Sequence, residues 1–111
     1  MGYYSDVALC VSDKVSIPDD VQKDMNQLGF NQVSQYKGCK LFILYSVKWY
    51  PESSWIHYIS DFIDSLDDED YRFLRIGEDV GDTEDRGSFY DNPFEIGIER
   101  QFCYDALDDT L

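Results

Sequence analysis

Carboxylates are the side chains in this sequence with the numbers and the spacing to do chemistry. The stretch DSLDDEDYRFLRIGEDVGDTED places Asp64, Asp67, Asp68, Glu69 and Asp70 ahead of a short apolar run that starts at Tyr71. Glu78, Asp79, Asp82, Glu84 and Asp85 follow that run. Three chemistries use such groups. Hard cations bind carboxylate oxygens, and Asp79, Asp82, Glu84 and Asp85 offer four of them; their spacing does not follow D-x-[DN]-x-[DN]-G with a distant glutamate. Paired carboxylates cleave glycosidic bonds across a cleft, for which a chain of 111 residues leaves little room. Fixed carboxylates also present a field to another molecule, and that use needs no cleft.

Other catalytic groups are sparse. His57 is the single histidine, and it falls off the apolar stripe of its predicted helix, where a histidine is normally a surface residue. The sequence holds no Walker loop, dinucleotide fingerprint, H-E-x-x-H or G-x-S-x-G. Gly77, Gly81 and Gly87 stand among acids that would repel a phosphate. The expectation is a protein that is not an enzyme, with no catalytic residue, no metal site and no cofactor.

The charge is uneven. Residues 1–50 hold five acids and five lysines, so the net charge of −14 arises wholly from the remainder, where 18 acids meet four arginines. Such a field disfavours direct binding to nucleic acid or to an anionic membrane, because phosphate repels it. Disordered acidic chains are poor in aromatic residues, whereas this chain is 16% aromatic, so a folded domain is expected. Cys10, Cys39 and Cys103 are odd in number and lack metal-type spacing, which fits a reducing, cytoplasmic setting. Asp6 interrupts the opening residues, so no signal peptide is read there. No run reaches the roughly 18 apolar residues of a membrane helix.

The elements that must position the carboxylates follow from periodicity. Residues 3–12 alternate around Val7, Leu9 and Val11, as a strand does. A helix is expected next, capped by Ser16, with Pro18 in its first turn, Ile17, Val21, Met25 and Leu28 on one face, and Gly29 ending it. Residues 30–36 read as a polar, edge-type strand. Lys37-Gly38 reads as a hairpin turn and residues 39–50 as a central strand. Pro51 and Glu52, with Ser53 or Ser54 as cap, open a second helix whose stripe is Trp55, Ile59, Phe62, Ile63 and Leu66. Residues 71–78 form a strand with Tyr71 and Phe73 opposite Leu74 and Ile76. Residues 79–92 read as an acidic loop and 94–104 as one further alternating strand, in which Arg100 shares the apolar face. Residues 105–111 read as a frayed acidic tail on a single domain spanning 1–104.

This order predicts an α+β fold: a ferredoxin-like split βαβ (β-α-β-β-α-β) with one or two added C-terminal strands and helices on one face of a mainly antiparallel sheet. The two acidic turns would then flank a strand of six residues, about 20 Å long, with Tyr71, Phe89 and Tyr90 as exposed aromatic anchors. Duplex DNA carries a negative charge about every 1.7 Å of axis, and rows of fixed carboxylates can copy that field.

The segment YRFLRIGED with acids following it, and the opening YYSDVALCV, resemble a strand-RIGED-acidic-loop signature of small acidic accessory proteins of phages, prophages and mobile elements. The resemblance covers these two stretches, and no functional residue is carried over from it. It implies a phage-encoded accessory protein in the host cytoplasm, similar in character to anti-restriction and anti-CRISPR inhibitors. The resulting expectation is a protein that binds and inhibits a basic, nucleic-acid-handling host protein, as a DNA mimic, through Asp64, Asp67, Asp68, Glu69, Asp70, Tyr71, Glu78, Asp79, Asp82, Glu84, Asp85, Phe89 and Tyr90. The alternatives are a toxin-neutralising immunity protein, separated by its genomic neighbourhood, and a structural or assembly module, for which a homo-oligomer would speak.

Overall fold

β1 (Ser5–Val11) is apolar on both faces, and that places it at the centre of the sheet. Val7, Leu9 and Val11 point to one side and Ala8 and Cys10 to the other, none more than 1% exposed. A computed structural model describes residues 3–50, 54–79, 81–94, 96–98, 102–105 and 107. In it β1 is followed by α1 (Asp19–Leu28), β2 (Asn31–Tyr36), β3 (Cys39–Val47), α2 (Ser54–Asp64), a 3-10 turn (Asp68–Asp70), β4 (Tyr71–Ile76), β5 (Thr83–Arg86), β6 (Gly97–Ile98) and β7 (Phe102–Cys103). β1 to β5 form one sheet in the order β2-β3-β1-β4-β5, and its four pairings are all antiparallel. The chain is therefore an α+β protein with a five-stranded antiparallel sheet and two helices.

Both helices cover one sheet face. Val21 and Met25 of α1 and Ile59 and Ile63 of α2 pack with Val7, Leu9, Val11, Phe42, Leu44, Tyr71 and Phe73. α1 ends as its sequence predicts: Gly29 takes a left-handed conformation (φ 97°), and its N–H caps the helix carbonyls. Its start differs. Pro18 occupies the N-cap position without a side-chain cap bond, so Ser16 does not cap. Asp19 and Asp20 in the first turn complement the helix dipole instead. Pro51, Glu52 and Ser53, and the side chains of Ser54 and Trp55, lie outside the described residues.

The opposite face is covered as well. Ala8, Cys10, Leu41, Ile43 and Leu74 pack beneath Phe94, Ile96 and Phe102, with Phe89, Tyr104 and Leu107 at the margin. The single strand expected over 94–104 is instead a short hairpin of β6 and β7 that forms its own two-stranded sheet. Lying across a sheet requires apolar side chains turned toward it, which the alternation of Phe94, Ile96, Ile98, Phe102 and Tyr104 supplies without a continuous ladder. Arg100 lies outside the described residues. Leu107, in the stretch read as tail, bonds to the β2 edge: its carbonyl accepts from the Gln35 N–H at 2.9 Å and its N–H donates to Ser34 Oγ at 3.3 Å.

The second difference concerns residues 79–92, which contain β5. Its sequence, TEDR, has no apolar residue, because this edge strand is held by ions and backbone bonds rather than by burial. A charged, four-residue edge also resists pairing with other chains. Gly87 closes β5 at φ 83°, where a Cβ would run into the Tyr71 carbonyl.

Candidate interaction surface

β4 carries two arginines three residues apart, so they project to opposite faces of the sheet. β5 answers each of them. Arg75 and Glu84 are cross-strand partners, with Nε to Oε1 at 2.6 Å. The same guanidinium reaches Asp82 at 2.7 Å and donates to Ser5 Oγ at 3.1 Å. On the other face Arg72 pairs with Asp85 at 2.8 Å and donates to the Ile96 carbonyl at 3.0 Å, tying the C-terminal segment to the sheet. Arg86, opposite Phe73, stacks over that ring at 5.8 Å and pairs with Asp64 at the end of α2.

Gly77 makes the turn between β4 and β5 possible. A Cβ there would overlap the Asp82 carboxylate and sit 2.5 Å from the Tyr3 hydroxyl. That hydroxyl donates to Asp82 Oδ2 at 2.6 Å and accepts from the Asp79 N–H at 2.8 Å. Arg75, and then the Tyr3 hydroxyl, hold the Asp82 carboxyl below its ordinary value of 3.8. Asp82 hydrogen bonding raises Arg75 above the usual guanidinium range, against the opposing effect of its burial.

A stability dependence follows from the depressed carboxyl. A group whose folded pKa is lowered stabilises the fold above its unfolded pKa, and that contribution is lost as pH falls through the folded value. Asp82→Asn is therefore expected to lower the unfolding midpoint at pH 7. The gap to the wild type should close as pH drops below about 4. Thermal melts of both proteins between pH 7 and 2.5 check this, and a gap that stays constant across the series contradicts it.

The predicted surface residues divide into two classes. Asp64, Asp82, Glu84 and Asp85 are engaged by arginines of the same chain, and Asp70 accepts from Ser12 Oγ at 3.1 Å. Asp67, Asp68, Glu69, Glu78 and Asp79 are exposed. Their carboxylates have no side-chain partner among the described residues. These five stand in two groups at opposite ends of β4, about 20 Å apart.

The aromatic residues divide too. Tyr71 is 7% exposed and packs on the helix side, so it is not an exposed anchor. Its place on β4 puts it on the same face as Phe73, the side that the helices cover. Phe89 is half-buried against the second core. Tyr90 is 63% exposed and stacks on Arg72, whose guanidinium carbon lies 4.9 Å from the ring centroid.

Other chemistry finds little support among these groups. Asp79, Asp82, Glu84 and Asp85 do not converge: Glu84 and Asp85 face opposite sides of β5, and each is occupied by an arginine. Among the described residues no three His, Cys, Asp or Glu side chains gather as a metal-holding group. His57 is exposed and lies 3.3 Å from Asp61, one helical turn away. Burial pushes the Cys10 thiol up to about 12, far from the range of a nucleophile.

Sequence reasoning missed Arg72, Arg75, Arg86, Tyr3 and Ser5. The signal was present: two β4 arginines, a glycine turn and the acids of TEDR at hairpin distance. Reading 83–86 as a strand would have paired them. A scan of protein-family models, a search of curated proteins and a search of solved structures each return no match for this chain.

Proposed function

We propose that this protein is a non-enzymatic, acidic binding protein that occupies the positive surface of a basic, nucleic-acid-handling protein and inhibits it. In this reading it is a phage-type accessory protein acting in the host cytoplasm. The observation that carries the proposal is the division of charge around β4. The three described arginines are tied to carboxylates of the same chain, while Asp67, Asp68, Glu69, Glu78 and Asp79 face solvent unpaired. Residues 64–86 hold ten acids against three arginines, a net of −7 and half of the charge of the whole chain. Internal pairing fixes the hairpin without cancelling its field.

Complementary fields accelerate encounter and suppress wrong partners. Two carboxylate groups about 20 Å apart meet a basic surface at two points, which is narrower than a copy of every phosphate along a DNA strand. We read the frame as a ferredoxin-like split βαβ: β4-β1-β3-β2 with α1 and α2 on one face, extended at its edge by β5. That frame presents both ends of β4 on a rigid sheet.

Capture tests the reading. The tagged protein, incubated with bacterial lysate in low salt, is expected to retain nucleic-acid-binding proteins that duplex DNA competes off and that about 0.5 M salt releases. Retention of nothing, or of proteins indifferent to both DNA and salt, contradicts it.

A further inference from the structure

We infer that Tyr90 is the anchoring residue of this surface and that the group it receives is a cationic side chain, lysine or arginine, on the partner protein. This rests on the proposed acidic binding role and names the point where a partner is gripped.

Tyr90 is an exposed aromatic residue whose backbone is tied to the acidic 3-10 turn and whose ring is held as well. The Ser88 N–H donates to the Asp68 carbonyl at 2.7 Å, the Phe89 N–H to the Tyr71 carbonyl at 3.2 Å and the Tyr90 N–H to the Ser88 carbonyl at 2.8 Å. Asn92, 3% exposed, donates from Nδ2 to the Phe89 carbonyl at 2.8 Å and accepts from the Ile96 N–H at 3.1 Å. The tyrosine and the acidic 3-10 turn are thus joined through backbone bonds. The ring rests on Arg72, itself clamped by Asp85 and the Ile96 carbonyl with its side chain only 17% exposed. An aromatic residue that is 63% exposed and so restrained loses little freedom on binding, as interface anchors require.

Charge complementarity selects the occupant. Tyr90 borders a groove that also carries Asp13, Glu69, Asp70 and Asp91, against one cation, Lys14. An aromatic face attracts cations through its quadrupole, and Arg72 already uses it in this way. The open part of the ring, on a groove lined by four acidic residues, suits a second cation from outside. An aliphatic or acidic side chain would gain nothing from those carboxylates.

The two Tyr90 substitutions leave the net charge unchanged, so that long-range attraction is held constant between them and the wild type. Binding of deca-arginine and deca-lysine peptides is measured by calorimetry in about 0.05 M salt. Tyr90→Leu, which keeps an apolar side chain but removes the ring, is expected to weaken binding about three- to tenfold, while Tyr90→Phe stays within about twofold. Asp67→Lys combined with Asp68→Lys serves as the reference for the acidic surface. If Tyr90→Leu binds as the wild type does while the reference loses affinity, the anchor assignment is overturned and the acidic surface stands. If the wild type binds neither peptide, the binding role fails and the anchor with it. Unchanged melting midpoints for both Tyr90 variants show that the loss is one of contact rather than of fold.

Discussion

Phe73→Ala is expected to lower the unfolding free energy by about 3–5 kcal/mol, the largest stability effect of any prediction here. Phe73 is 1% exposed at the middle of β4, packs against Trp49 with ring centroids 5.7 Å apart, and carries the guanidinium of its cross-strand partner Arg86 on the same face of the β4–β5 ladder. Its truncation leaves a cavity under the helices and removes the platform on which Arg86 reaches Asp64. Two readouts follow. Urea melts report the global loss, and Phe73→Leu, which retains most of the volume, should recover the greater part of it. Amide exchange should show β5 opening ahead of β1, because β5 is an outer strand held by ion pairs whereas β1 has strands on both sides. A loss below about 1 kcal/mol would show that the helix-side core does not depend on this ring.

How far the fold was legible depended on what holds each part. Where burial decides, periodicity was enough: β1, α1 with its Gly29 cap, β3, α2 and β4 lie where their apolar spacing puts them, and the α+β class follows. Where ions or coil packing decide, it was not. TEDR has no apolar alternation, so β5 was read as loop; its strand conformation comes from a ladder with β4 that Arg72 and Arg75 secure. The alternation over 94–104 reads as one strand, yet it serves a segment lying across the sheet in which, among the described residues, Gly97 and Ile98 pair with Cys103 and Phe102. The same blind spot affected the candidate surface. The density of carboxylates was visible, but which of them are engaged depended on cross-strand register, and so Asp64, Asp82, Glu84 and Asp85 were grouped with the unpaired acids. The acids around Tyr71 suggest an exposed ring, whereas the alternation that makes β4 a strand places it beside Phe73 on the buried side.

This division sharpens the second large prediction. Reversal of Asp82 would break the Tyr3–Asp82–Arg75 network and so confuse folding with binding. The carboxylates of Asp67, Asp68 and Asp79 make no hydrogen bond or ion pair to another side chain among the described residues, and reversing them should leave the sheet intact. Converted together to lysine, they replace attraction by repulsion at both ends of β4. Affinity for a captured basic partner should then fall by about a hundredfold or more in low salt, since like-charge contacts across an interface cost several kcal/mol. Raising the salt above about 0.3 M should shrink the difference as screening shortens the reach of each charge.

The most direct measurement compares that triple variant with a second one of identical net charge, Asp19, Asp24 and Asp61 to lysine, which alters only the helix layer. Both carry −8 in place of −14, and both are checked for folding by circular dichroism and thermal melts. Placement of unpaired carboxylates by the β4 frame predicts binding lost in the first and kept within about threefold in the second. An equal fall in both would mean that bulk charge alone attracts the partner, and it would contradict the assignment of this surface.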